Sequence, residues 1–171
     1  MKKLTAIALA GILGITGVTT TAHVFANTND TTVEANQVTK VEKGKFLETF
    51  QTELHQSNDL KQKRLDLKKS VINKRDQLID LVVQAKNNKD KEALKALKAI
   101  KPSLKENASE TKSIVQQLRD ERKAAKTALK AGDEDQARTH INKVLELQAS
   151  WNKNLEGRAS ILDQMIAALT K

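Results

Sequence analysis

The chain has 171 residues, no cysteine, one proline and a net charge of +9. Without cysteine, neither a disulfide scaffold nor a thiolate metal centre can be built, and stability must come from packing. Aromatic residues are only 2% of the chain and tyrosine is absent, so a base-stacking nucleic-acid surface is not expected. The Ala/Lys/Leu/Glu bias instead points to an all-α, elongated protein of about one domain.

The first 26 residues read as a secretory signal peptide. Lys2 and Lys3 form the charged start, Leu4–Val18 the apolar core, and Val24-Phe25-Ala26 the cleavage region. The apolar core is shorter than the ~20 residues that span a bilayer, so no transmembrane anchor is expected after cleavage. The expected location is therefore outside the cytoplasm: secreted, periplasmic or cell-wall associated. Residues 27–43 are polar, rich in Thr and Asn, and expected to form a disordered N-terminal arm. Residues 44–171 are the expected helical bundle domain.

A first long helix is expected from Lys45 to Lys86. Phe46, Phe50, Leu54, Ser57, Leu60, Arg64, Leu67, Val71, Arg75, Leu78, Val82 and Ala85 recur at alternating spacings of three and four. That spacing puts them on one face. Arginine stems can lie along apolar neighbours there while their heads reach water. Asn87-Asn88 ends the helix, because Asn tolerates the left-handed cap position.

A second helix begins near Asp90, with Leu94, Leu97, Ile100, Leu104, Ala108, Thr111, Val115, Leu118, Ala125 and Leu129 on its apolar face. Pro102 falls inside this run, lacks an N–H, and is expected to kink or break the helix. Gly132 suits the left-handed position past the helix end, and Asp133 caps the next helix, with Gln136 three residues on. Glu134 and Asp135 add negative charge to the first turn, where the helix dipole favours it.

The third helix is expected from Glu134 to about Thr170. Ala137, Ile141, Val144, Gln148, Trp151, Leu155, Arg158, Leu162, Met165 and Leu169 form an unbroken four-three seam like that of a coiled coil. The expected fold is an elongated antiparallel bundle of three long helices. A shift of 44 residues lays Leu60 on Leu104, Val71 on Val115 and Asn88 on Gly132, a pattern that either duplication or chance produces.

Charge is uneven. Between Lys61 and Lys105 lie fourteen Lys or Arg against five Asp or Glu. Lys61, Lys68, Lys69, Lys74 and Lys86 on the first helix, and Lys91, Lys95, Lys98 and Lys105 on the second, form a candidate basic binding face. It reads either as a solvated surface or as a docking site for an anionic envelope polymer or an acidic, unfolded protein. Trp151 reads as a core anchor, or else as an exposed aromatic on a concave face. The histidines lack partners at metal-ligand spacing, and no nucleophile set or phosphate loop occurs, so no enzyme activity, metal or cofactor is expected.

A signal peptide followed by long Lys/Arg-rich amphipathic helices resembles the Spy/CpxP class of exported helical chaperones and stress proteins. In place of that family's L-T-x-x-Q motif the chain has Leu47-Glu48-Thr49-Phe50-Gln51, keeping the Leu and the Gln. The resemblance implies a basic, partly apolar cradle that holds unfolded proteins without ATP. The residues alone leave open a structural, envelope-associated protein that self-assembles, as a homodimer for example.

Overall fold

The structure is a computed structural model that describes residues 45–170. The expected signal peptide and N-terminal arm lie outside the described residues. All regular structure among the described residues is helical: α1 (45–49), α2 (Gln51–Asn87), α3 (Lys91–Ala131) and α4 (Glu134–Leu169).

The expected first helix thus divides in two. At Phe50 the backbone turns to φ −117°, ψ 21°, although the ladder continues from Phe50 N to Phe46 O and from Leu54 N to Phe50 O. The bend has a packing cause. Phe50 is 1% exposed among Ala125, Ala128, Ala137 and Ile141, with the Phe46 ring 5.0 Å away. Burying both rings over one hairpin end favours a change of direction that a straight rod does not supply.

Pro102 does not break the second helix. α3 runs from Lys91 to Ala131 through it. Pro102 lies on an exposed stretch, where the carbonyl it leaves unpaired can be hydrated.

Both turns close in the same way. At the second, Gly132 has φ 77°, its N–H bonds Leu129 O, and Asp133 N–H bonds Ala128 O. At the first, Lys89 N–H bonds Lys86 O and Asp90 N–H bonds Ala85 O. The left-handed residue there is Lys89 (φ 55°), not Asn88, which keeps a right-handed helical conformation (φ −79°). The two left-handed residues therefore lie 43 apart, one short of the 44-residue alignment. Asp90 accepts from Ala93 N–H and Asp133 from Gln136 N–H, both at 2.9 Å, which satisfies one free donor at the start of each helix.

The helices do not contribute equally. α4 packs along both α2 and α3, while α2 and α3 scarcely touch. Three apolar clusters follow one another along α4. The first surrounds Phe50 and Ile141, the second Trp151, Leu118 and Val144, and the third Val71, Leu162 and Met165.

Polar layers separate these clusters. In the upper one, Asn107 Nδ2 donates to Asn154 O (2.9 Å), Asn154 Nδ2 donates to Asn107 O and Thr111 Oγ1 donates to Asn154 Oδ1. Arg158 Nε donates to Asn107 Oδ1 at 2.8 Å. A satisfied layer of this kind fixes the register between α3 and α4.

Candidate anion-binding site

The lower polar layer joins α2 to α4. Ser57, Arg64, Gln148 and Asn152 are each at most 3% exposed. Arg64 Nη2 donates to Gln148 Oε1 (3.3 Å), Arg64 Nε to Asn152 Oδ1 (3.4 Å), and Asn152 Nδ2 donates to Leu60 O (2.9 Å). Ser57 and Gln148 exchange longer contacts. The heptad seam puts Gln148 and Asn152 one turn apart, so both amides reach the same guanidinium.

Trp151 lies beside this layer. It is 7% exposed and packs with Ile114, Leu118, Val144 and Leu155. The Arg64 guanidinium carbon lies 4.6 Å from its ring centre and Lys68 Nζ 5.4 Å from it. Two cations on one indole gain from its quadrupole but repel each other.

A further cation approaches from α3. Nε and Nη2 of Arg122 are closed off from solvent and have no hydrogen-bond partner. Burial lowers the Arg122 pKa below its usual value. Burial, reinforced by the charge of Arg122, pulls Arg64 down to about 10. Lys61 is lowered by burial first, then by Arg122 and Arg64. Lys61, Arg64 and Arg122 thus converge from α2 and α3, and among the described residues neither guanidinium forms an ion pair with a carboxylate. Such a set favours an oxyanion, to which guanidinium groups can donate two parallel hydrogen bonds.

The sequence-derived basic face divides on this geometry. Lys61 and Lys68 belong to the cluster. Lys74 pairs with Asp163. Lys69, Lys86, Lys91, Lys95, Lys98 and Lys105 are exposed and do not join the cluster. Arg122 was not singled out from the sequence, since it lies one turn beyond Leu118 on the apolar face and has no local motif. No protein-family model, curated protein or solved structure matches this chain.

The remaining titratable sites are structural in character. His140 Nδ1 lies 2.6 Å from Glu121 Oε2, bridging α4 and α3, and His55 is exposed. Arg138 pairs with Glu53, donates to Thr49 O at 2.6 Å and covers the Phe50 ring, which pins α1 and α2 to α4. Among the described residues no group of three His, Cys, Asp or Glu side chains is placed to hold a metal, and no helix is long and apolar enough to cross a membrane.

Proposed function

We propose that this chain is an exported, non-enzymatic helical binding protein that takes an anionic polymer or acidic protein segment on its basic side. The observation that supports the reading is the convergence of Lys61, Arg64 and Arg122 beside Trp151, with two buried Arg122 donors unpaired. Folding leaves a desolvated charge there that an added anion would compensate once the Arg122 side chain turns toward it. The exposed lysines from Lys86 at the end of α2 to Lys105 on α3 extend positive potential along the molecule and would steer such a partner. Holding acidic, unfolded proteins is the form of this activity that the Spy/CpxP resemblance implies.

The alternative, a self-assembling envelope protein, drew on the heptad seam of the last helix. That seam is spent inside the chain, since Ala137, Ile141, Val144, Leu155 and Leu162 are all buried. It leaves the anion-binding reading with the stronger support.

Trp151 is the only tryptophan, so its fluorescence reports on the site directly. Titration with polyglutamate or polyphosphate is expected to change the emission, with an affinity that falls as salt rises. Arg122→Gln is expected to weaken binding by roughly tenfold, while Lys98→Gln changes it little. Equal affinities for wild type and Arg122→Gln, or no binding at low salt, would overturn the proposal.

A further inference from the structure

A second surface on α2 borders the cationic cluster and shares Lys61 and Lys68 with it. Leu65, Ile72, Ile79 and Val83 are each more than half exposed. Their spacings of seven, seven and four place them in a line along the helix, about 100° around from the face that Ser57, Arg64 and Val71 bury. Among the described residues no other helix covers this line, which extends over roughly 27 Å.

The charges beside it differ from one flank to the other. Asp59, Asp66 and Asp80 lie on one side, all exposed. Lys61, Lys68 and Arg75 lie on the other. In heptad terms Leu65, Ile72 and Ile79 occupy one core position and Val83 the other, the acids the flank that follows the first, and the bases the flank that precedes the second.

From this pattern we infer that α2 is a docking surface for a second copy of the chain, packed parallel and in register about a two-fold axis. In that arrangement the basic flank of one copy meets the acidic flank of the other, on both sides. Arg75 faces Asp80 of the second copy, and Lys61 faces Asp66. An antiparallel pairing would set acids against acids and bases against bases. Lys69 and Asp76 fall in the alternate core layers, where charged residues lower affinity and restrict register.

The apolar area is on the order of 400 Å² per copy, below the ~800 Å² per partner of a standard interface. The association is therefore weak and depends on concentration. It is also isologous, so it closes at two copies.

The chain has no cysteine, so single-cysteine variants report geometry without interference. In the protein as purified from expressing cells, Leu65→Cys and Ile79→Cys are each expected to give disulfide-linked dimers on mild oxidation. Lys98→Cys, on the exposed side of α3, is not. In sedimentation equilibrium, Ile72→Asp is expected to raise the dimer dissociation constant at least ~tenfold while its far-UV circular dichroism and melting curve stay as in wild type. The inference is overturned by a protein that remains monomeric at every concentration, or by a dimer that Ile72→Asp leaves intact. A mixture of the two cysteine variants that forms only the 65-to-79 crosslink also overturns it, because that product requires antiparallel packing.

Discussion

Replacing Trp151 by alanine tests the packing on which the candidate site depends. The side chain is 7% exposed and sits among Ile114, Leu118, Val144 and Leu155. Truncating an aromatic side chain in such a place costs about 3–5 kcal/mol, because the surrounding helices relax only part of the way into the cavity. The ring also carries Arg64 at 4.6 Å and Lys68 at 5.4 Å. Arg64 is nearly buried and Lys68 half-buried, so their loss adds roughly 1–2 kcal/mol. A total near 5 kcal/mol would remove a third or more of the ~5–15 kcal/mol available to a domain. Trp151→Phe keeps a ring under both cations and is expected to cost only about 1–2 kcal/mol. Urea unfolding followed by far-UV circular dichroism measures both. A loss below ~1 kcal/mol for Trp151→Ala, with an unchanged urea dependence, would refute this account of the core.

Lys89 holds a left-handed conformation (φ 55°) that glycine adopts freely, so Lys89→Gly is expected to raise stability by about 0.5–1 kcal/mol in the same assay. Arg138→Leu leaves the buried Glu53 carboxylate without its cation. Because Arg138 is itself partly exposed, the expected cost is about 2–3 kcal/mol, and adding Glu53→Gln should restore part of it. The lowered Arg64 pKa gives stability a defined pH dependence. The folded state binds its proton less tightly than the unfolded chain, so the charge penalty is full at neutral pH and is relieved as pH rises through about 10. Lys61, also lowered, acts with the same sign. The stability of wild type relative to Arg64→Met should therefore increase between about pH 8 and about pH 10.5, and a flat difference in urea midpoints would contradict it.

Much of the architecture was legible because helix periodicity and cap chemistry are local. Gly132 and Asp133 stand at a turn whose left-handed φ and side-chain cap follow from their residue types. The α4 seam through Trp151 and Leu162 needed only the four-three rhythm. What escaped depends on distant partners. The bend at Phe50 exists because Ala125 and Ala137, far away in the chain, accept its ring. Glu53 carries no local signal of burial and is 6% exposed because Arg138 reaches it. Arg75 fitted the apolar stripe on paper and is exposed, although Val71 one turn earlier is buried. Within the candidate site, Lys61 and Lys68 carried a signal of basic composition. Arg122 carried none, because its role comes from facing Arg64 across the space between two helices.

The helix that follows α2 and α3 in the chain is also the one that both rest upon. Until α4 emerges, α2 and α3 have almost nothing to hold them together, since they barely meet in the finished molecule. Tertiary order therefore waits for α4. A polypeptide built in this way stays slack until its third long rod has been made, and a chain cut short before it would have no core to close.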